Sequence, residues 1–399
     1  MQNKAVFVAI YGAVFMLAPF AIDMYLPALP TIASDLQTGI NELEATVAIL
    51  LFGYALGQLL LGPLSVALGR RTVLLGGLGL FVVSSVLAGT AQSIEMLYVY
   101  RLLQAIGGAG SVVVFPSVRS RFGEKQSSVI ISYIMALTVV APLIAPVIGG
   151  YVLALAGWSA IFMVLAAFGG ITLAVAVVLL PPEQEDKRGF SLRGVVSGYL
   201  SVLSEWRILA FIFSGAFAFA GLFVFVSGSP FVYITYFGVS PQNYGYLVGV
   251  NAAAMIGTNL LNARVLQRVA PVPKIFAGTL LLVVAGAALV SFAQYGLGLP
   301  WIVAGVVVFV GALGLTATNA IVGALSVRPE DNGTVSALNG AIQFGVGGLA
   351  SFVVSLLDST DATTMTTIML GTSVAAALFA LPLSVAYAKQ RREISVEPA

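Results

Sequence analysis

Twelve apolar stretches, each about long enough to cross the hydrocarbon core of a bilayer, fill most of this 399-residue chain. Only 9% of its residues are charged, against about 25% in soluble proteins, so a soluble domain with this composition could not cover its surface. The sequence therefore predicts an all-α integral membrane protein with twelve transmembrane helices. The predicted spans are 6–27, 45–68, 72–91, 96–118, 127–154, 157–181, 207–229, 243–263, 273–295, 299–325, 333–357 and 362–388.

The charges outside the spans alternate from one loop to the next. Lys and Arg lie at the N-terminus and after the even-numbered spans. The charged residues of the loops after odd-numbered spans are all Asp or Glu. Because basic loops stay in the cytoplasm, both termini and the central linker are predicted to be cytoplasmic. The acids assigned to the opposite side are Asp35, Glu42, Glu44, Glu95, Asp358 and Asp361.

The spans form two blocks of nearly equal length. We predict an N-terminal six-helix bundle over 1–181, a cytoplasmic linker over 182–206, and a C-terminal six-helix bundle with a short tail over 207–399. Apolar residues from Phe190 to Trp206 favour an interfacial helix in the linker. Two such halves joined by a charged linker are typical of a rocking transporter.

Several kinds of chemistry are excluded by residues that the chain lacks. It has no Cys and no His, which excludes disulfides, thiolate nucleophiles, Ser-His-Asp triads and the common zinc sites. No ATP-binding P-loop is present, and a net charge of +2 does not indicate nucleic-acid binding. We therefore expect no enzyme activity, no metal and no cofactor, and proton chemistry near neutral pH would require a carboxylate.

Two charged residues stand out because they fall well inside predicted spans. Asp23 is the acidic one and Arg101 is the basic one. A charge inside the membrane costs several kcal/mol, about 2.5–3.5 on insertion scales, so such residues generally face a cavity and have a function. The alternatives are that water solvates Asp23 at the outer end of span 1, and that Arg101 braces carbonyl groups.

Small residues and prolines mark two predicted places of conformational change. At the end of span 2, Gly62 would allow close helix approach, Gly69 would end the helix, and Arg70 with Arg71 would anchor the cytoplasmic face. In span 5, small residues recur on one helix face, which lets another helix pack closely or pivot there. The residues of that face are Pro142, Pro146, Gly149 and Gly150.

The wall of a substrate cavity is predicted from polar residues within apolar spans. Together with Asp23 and Tyr25, the candidates are Gln58, Asn251, Asn319, Asn339 and Gln343. Equally, these amides could join helices to one another. Phe219 and Phe223 of span 7 share a helix face and are weaker candidates.

Four motifs in order along the chain resemble the Bcr/CflA-type multidrug efflux group of the major facilitator superfamily. Asp23–Pro30 is similar to the group's span 1 motif, and Gly62–Arg71 to the loop motif G-x-L-a-D-r-x-G-r-r. Arg101–Gly107 resembles the span 4 motif R-x-x-Q-G-x-G, and Ala141–Gly150 the antiporter motif of span 5. In the second half, Gly228–Tyr233 is also similar to this group. The resemblance therefore covers essentially the whole chain and implies the major facilitator fold.

The chain departs from these motifs at two positions. Val66 stands where the loop motif has an acid, which in the family helps to latch the cytoplasmic side in the outward-open state. Ala105 replaces the glycine after Gln104 in the span 4 motif. The first departure predicts an altered balance between conformations.

The resemblance implies a monomeric drug:proton antiporter of the bacterial inner membrane that contributes to antibiotic resistance. Protons, membrane lipids and small amphipathic substrates are its implied partners, and a substrate would compete with a proton on Asp23, with Arg101 tuning release. The alternative on the same scaffold is an exporter of a metabolite such as a nucleoside or sugar. A channel would need a continuous polar pore, and a membrane enzyme would need a catalytic cluster; neither is visible in the spans.

The predicted topology can be tested with a single cysteine at Glu185, since the chain has no native Cys. We expect the Glu185→Cys protein to resist an impermeant thiol reagent in intact cells and to react with it in everted vesicles, because the linker is predicted to be cytoplasmic. Labelling in intact cells would contradict the topology.

Overall fold

The computed structural model describes residues 4–181, 192–357 and 360–396, and in these ranges the regular structure is helical, with no strand. Between the longer helices lie three 3₁₀ turns, Leu26–Ala28, Ala109–Val113 and Pro329–Asp331, and a π-helix, Phe231–Tyr236. The α-helices are α1 Lys4–Asp23, α2 Leu29–Asp35, α3 Ile40–Leu68, α4 Arg70–Gly89, α5 Ile94–Gly108, α6 Val114–Ala156, α7 Trp158–Leu179, α8 Leu192–Leu203, α9 Trp206–Pro230, α10 Pro241–Arg264, α11 Pro271–Gln294, α12 Leu299–Val327, α13 Asn332–Leu356 and α14 Thr363–Val396.

The predicted spans all coincide with helices. In the described ranges, 11 helical segments are long and apolar enough to cross a membrane. The predicted eighth span is the 24-residue helix α10, which is less apolar because it carries several amides. Its length still suffices to cross a bilayer, so the all-α fold with twelve long helices is confirmed.

The boundaries differ from the prediction at two places. No loop separates spans 4 and 5: α6 is continuous over 43 residues and includes Arg119 and Arg121, because this stretch contains no proline after Pro116 and before Pro142. Conversely, α1 ends at Asp23, and the chain continues through a 3₁₀ turn into α2, where Pro27 and Pro30 remove backbone donors.

Four acids that we assigned to loops lie in helices instead. Asp35 ends α2, Glu42 and Glu44 lie in the first turns of α3, and Glu95 lies in the first turn of α5. These helices begin or end several residues beyond the apolar cores from which the spans were predicted. The loop assignment was therefore wrong for these residues, and Asp358 lies outside the described residues.

The chain forms two compact units. Unit 1 comprises residues up to Val195 together with Val226–Gly249 and Ser351–Leu357, and unit 2 comprises Val196–Phe225, Val250–Ala350 and the residues after Leu357. The first division falls inside the predicted 182–206 linker. The end of α9 and the start of α10 belong to unit 1, although the prediction assigned both to the second half. The six-helix halves remain a prediction.

Glycines bring the helices of unit 1 close together. A Cβ on Gly53 of α3 would lie 2.6 Å from the Cβ of Ala105 and 3.0 Å from the carbonyl oxygen of Leu102 on α5. Gly69 sits between α3 and α4 with φ of +95°, a conformation that L-residues rarely adopt, and so it ends α3 as predicted. In contrast, a Cβ on Gly62 would meet nothing within 4 Å, so our expectation of close approach there was wrong.

The predicted linker helix is present as α8, which packs onto unit 2. Val202 lies in a buried cluster with Ile208, Phe211 and Ile275. Arg328 donates to Ser201 Oγ at 2.9 Å and pairs with Glu205 at 3.5 Å. The charged part of the linker, 182–191, lies outside the described residues, and the location of α8 at the membrane surface remains a prediction.

Two glycine substitutions in α3 test this packing. We expect Gly53→Ala to destabilise the protein by about 1–3 kcal/mol, because the added methyl overpacks the junction with α5. Gly62→Ala is the matched control, and we expect it to be neutral or stabilising, since alanine favours a helix by about 1 kcal/mol. Thermal unfolding of both variants in detergent measures the difference, and equal melting temperatures would contradict the close approach.

Candidate functional site

Asp23 ends α1 and is buried, with 7% of its surface exposed. In the described part of the chain, no basic side chain lies within 4.0 Å of its carboxylate. The described structure therefore gives the Asp23 carboxylate no countercharge.

Arg101 of α5 is fully buried. Its Nη1 donates to the carbonyl oxygen of Ala21 at 2.9 Å and to Gln104 Oε1 at 2.7 Å. Its guanidinium carbon lies 4.3 Å from the ring centroid of Tyr25, a cation–π contact. These contacts support the bracing alternative, because Arg101 binds the backbone of α1 two residues before Asp23 instead of the Asp23 carboxylate.

The guanidinium is also only partly satisfied. Its Nε and Nη2 are buried, and neither has a hydrogen-bond partner among the described residues. Each unpaired polar atom inside a protein has a desolvation cost of about 1–3 kcal/mol. The Nε and Nη2 groups of Arg101 therefore remain available to donate hydrogen bonds to a carboxylate or a polar ligand in another conformation.

Tyr25 and Gln104 extend this cluster to the neighbouring helices. The Tyr25 hydroxyl and Thr46 Oγ1 of α3 are 3.0 Å apart. Gln104 Nε2 donates to Ser85 Oγ of α4 at 2.8 Å. The side chains around Arg101 thus join α1, α3, α4 and α5 within unit 1.

Glu44 is a buried acid that our sequence analysis missed. It is 1% exposed, and neither carboxylate oxygen has a hydrogen-bond partner among the described residues. The signal was its position on α3: Val47, Ala48 and Leu51 follow at i+3, i+4 and i+7, and all are buried. Asp23 is therefore not the only acid buried inside a span.

The face of α6 that carries Pro142, Pro146, Gly149 and Gly150 packs against the ends of other helices in unit 1. A Cβ on Gly149 would collide with the carbonyl oxygen of Met24, next to Asp23. A Cβ on Gly150 would lie 2.7 Å from the carbonyl oxygen of Pro241. On α10, which contacts this face of α6, a Cβ on Gly245 would lie 2.8 Å from the carbonyl oxygen of Pro146. The predicted close approach along this face is present at these residues, with backbone against backbone.

The predicted cavity amides are divided between the units. Gln58 lies in unit 1 and is half-buried, whereas the other four lie in unit 2. Asn319 Nδ2 donates to Asn262 Oδ1 at 3.2 Å, so it joins α12 to α10, as in the helix-joining alternative. Asn251 is buried with its amide atoms unpartnered in the described structure, while Asn339 and Gln343 are half-buried.

Span 7 contributes aromatic packing within unit 2. The rings of Phe219 and Phe223 lie 6.2 Å apart, in agreement with their predicted common face. Phe223 also contacts Phe344 of α13, with ring centroids 5.8 Å apart. This contact indicates helix packing for Phe223.

Comparison with protein families matches residues 12–352 to the Major Facilitator Superfamily. The chain belongs to this superfamily. It is 30% identical over 369 residues to a bicyclomycin resistance protein homolog of Haemophilus influenzae. This alignment covers 91% of this chain and 93% of the relative. It is 29% identical over 365 residues to the multidrug transporter MdfA of Escherichia coli, which covers 86% and 87%, respectively. These relatives confirm the resemblance to the Bcr/CflA-type group.

A solved structure of the same superfamily has the same fold. The xylose transporter XylE of E. coli, in a partially occluded inward-open conformation, superposes with a TM-score of 0.75 and 16% identity. The alignment covers 94% of this chain and 96% of XylE. XylE thus shows the fold of this chain, while its superfamily and its transporter relatives show that it is a multi-pass membrane transporter and not an enzyme.

The packing explains one of the departures from the superfamily motifs. Ala105 stands where the span 4 motif has glycine, and its methyl group faces Gly53 of α3. The missing glycine on α5 is thus compensated by a glycine on the facing helix.

The loop motif after α3 anchors neighbouring helices through its two arginines. Arg70 Nη1 donates to Ser120 Oγ of α6 at 2.9 Å. Arg71 donates to the carbonyl oxygens of Val177 at 2.8 Å and Leu180 at 2.9 Å, at the end of α7. Val66 is 57% exposed, so an acid at this position would be free to reach another residue.

Substitution of Gly149 tests the junction of α6 with α1. We expect Gly149→Ala to increase amide hydrogen exchange in peptides covering 20–30, because the methyl group would separate α6 from Met24. Every 1.4 kcal/mol of lost local stability gives about tenfold faster exchange. Gly170→Ala is the control, since a Cβ there meets nothing within 4 Å and exchange should be unchanged. Unchanged exchange in Gly149→Ala would contradict the contact.

Proposed function

We propose that this protein is a proton-coupled exporter of small amphipathic drugs in the bacterial inner membrane, acting as a monomer with both termini in the cytoplasm. Membership of the superfamily and similarity to a bicyclomycin resistance protein homolog and a multidrug transporter support drug export. The positive-inside pattern supports the orientation.

The observation that carries the proposal is the unpaired carboxylate of Asp23. It is buried without a basic partner in the described part of the chain, at the end of a helix whose next turn contains two prolines. A carboxyl in this environment holds a proton, and water or a polar ligand that reaches it favours release. With no His in the chain, such a carboxyl is the group suited to exchange protons near neutral pH.

The mechanism is competition between a proton and a substrate. A substrate that enters from the cytoplasm solvates or pairs with the Asp23 carboxylate, and one proton leaves to water. After the substrate is released outside, Asp23 accepts a proton there and the carrier returns. Because the two ligands bind alternately, the inward movement of a proton is coupled to the export of a substrate.

Arg101 is a positioning residue in this proposal. Its bond to the Ala21 carbonyl fixes the helix turn that carries Asp23, and its unpartnered Nε and Nη2 are donors for the ionised Asp23. A shift of α1 relative to α5 would change the distance between the two charges. Proton release is then tied to helix movement.

The remaining predicted residues support substrate binding and conformational change. Gln58, Asn251, Asn339 and Gln343 are the amides that we propose for the substrate site; Asn319 and Tyr25 already have protein partners. The glycine and proline face of α6 serves as a packing surface that separates and closes again during the cycle. Because Val66 replaces the family's acid, we expect a weaker cytoplasmic latch in the outward-open state.

A metabolite exporter is the alternative, and transport into everted vesicles distinguishes it. We expect vesicles with an acidic lumen to accumulate labelled bicyclomycin, to lose this accumulation with an uncoupler, and not to accumulate a labelled nucleoside such as uridine. Accumulation of uridine alone would favour the metabolite exporter.

The role of Asp23 is tested in the same vesicles. We expect Asp23→Asn to reduce bicyclomycin accumulation to that of vesicles without the protein, because the amide cannot exchange a proton. Glu95→Gln is the matched control, since Glu95 is exposed, and it should transport normally. Uphill, uncoupler-sensitive transport by Asp23→Asn would place the proton site elsewhere.

A further inference from the structure

Glu44 is the second buried acid of unit 1, and the mechanism above makes no use of it. It lies one turn into α3, and both of its carboxylate oxygens are buried without a hydrogen-bond partner among the described residues. Within the same described ranges, no Lys or Arg lies within 4.0 Å of it. Among the described residues, neither a basic side chain nor a hydrogen-bond donor therefore compensates a negative charge on Glu44.

Glu42, two residues earlier in the same helix, is an acid with a structural role. Glu42 is partly exposed, and its carboxylate accepts hydrogen bonds from the Gly39 N–H at 3.1 Å and from the Thr38 hydroxyl. These bonds cap the N-terminus of α3. Because Glu42 caps the helix, Glu44 is not needed for that purpose.

Two hydrogen bonds connect the part of α3 around Glu44 to α9 and to the turn after α1. Ser227 Oγ of α9 donates to the Glu44 carbonyl oxygen at 3.4 Å. Thr46, two residues further along α3, is bonded to Tyr25, which follows α1 and stacks against Arg101. Glu44 thus lies where α3 meets the end of α9 and the Asp23 end of α1, all within unit 1.

Among the described residues of α1, α3, α5, α9, α10 and the turns that follow α1 and α9, Arg101 is the only buried side chain with a positive charge. Asp35 accepts from Trp158 Nε1 at 2.9 Å, and the Tyr98 hydroxyl donates to the Glu42 carbonyl oxygen at 3.0 Å. Arg101 binds Ala21 and Gln104. Besides Glu44, the other buried titratable side chains of these elements are Tyr11, Asp23, Tyr25, Tyr54, Tyr233 and Tyr244.

An unpaired carboxylate inside a protein is far less stable than the neutral acid, whereas contact with water stabilises the ionised form. We propose that Glu44 is a second proton-binding carboxyl, protonated while its junction is packed as in this structure and ionised when the junction opens to water. This proposal rests on the proton-coupled export proposed above. The step is one proton exchanged between the Glu44 carboxyl and water, with no other bond made or broken.

Infrared difference spectroscopy of the purified protein tests proton binding without any substrate. In the Asp23→Asn protein, we expect the C=O stretching band of one protonated, buried carboxylic acid. This band should disappear as the pH is raised from about 5 to about 10, the range in which buried carboxyls lose their proton. Adding Glu44→Gln should remove the band, and adding Glu95→Gln instead should leave it. A band that survives Glu44→Gln overturns the proposal. If the double variant does not fold, the Asp23→Asn protein still decides, because the absence of any titrating band there also overturns it.

Transport separates this proposal from the proposed function. In everted vesicles with an acidic lumen, we expect Glu44→Gln to lose bicyclomycin accumulation against a gradient while retaining bicyclomycin exchange without one. Unchanged accumulation would overturn a coupling role for Glu44 and leave the proposed function intact. If the unsubstituted protein accumulates no bicyclomycin, the proposed function fails, whereas the infrared spectra still decide whether Glu44 binds a proton.

Discussion

The hydrogen bond from the buried Arg101 guanidinium to the Ala21 carbonyl oxygen is the contact on which the candidate site depends. Burying a guanidinium is costly unless its donors and charge are compensated. Here the compensation comes from a carbonyl, an amide oxygen and an aromatic ring, and no carboxylate pairs with it in the described structure. As a result, the guanidinium binds the backbone of α1 two residues before Asp23 and does not pair with the Asp23 carboxylate in the described structure.

Close backbone packing makes that arrangement possible. Between helices surrounded by lipid there is little hydrophobic driving force, so association depends on van der Waals contact and hydrogen bonds. Gly53 on α3 and Gly149 on α6 let α5 and the Met24 turn approach to distances that a methyl group would prevent. These approaches hold α1, α3 and α5 in the register that places Tyr25, Thr46 and Arg101 together.

The acids of α3 show where sequence reasoning succeeds and where it stops. Glu42 and Glu44 are two residues apart at the same predicted membrane boundary, and both were assigned to a loop. On the helix that forms, one faces the capped N-terminus and the other faces the buried interior. The helical spacing of Glu44 with Val47 and Leu51 contains this information, but only if the helix start is known, and apolar content alone does not define it.

The sequence alone was enough to predict the class of protein, the twelve long helices and the position of Asp23 and Arg101 inside spans, because bilayer thickness and the cost of buried charge act on each segment separately. The sequence motifs also identified the superfamily. The partners of these residues follow from the three-dimensional packing: Arg101 binds a carbonyl, Asn319 binds Asn262, a Cβ on Gly62 would meet nothing within 4 Å, and Glu44 is buried. These outcomes depend on which helix faces meet, and that is set by packing between segments distant in the chain.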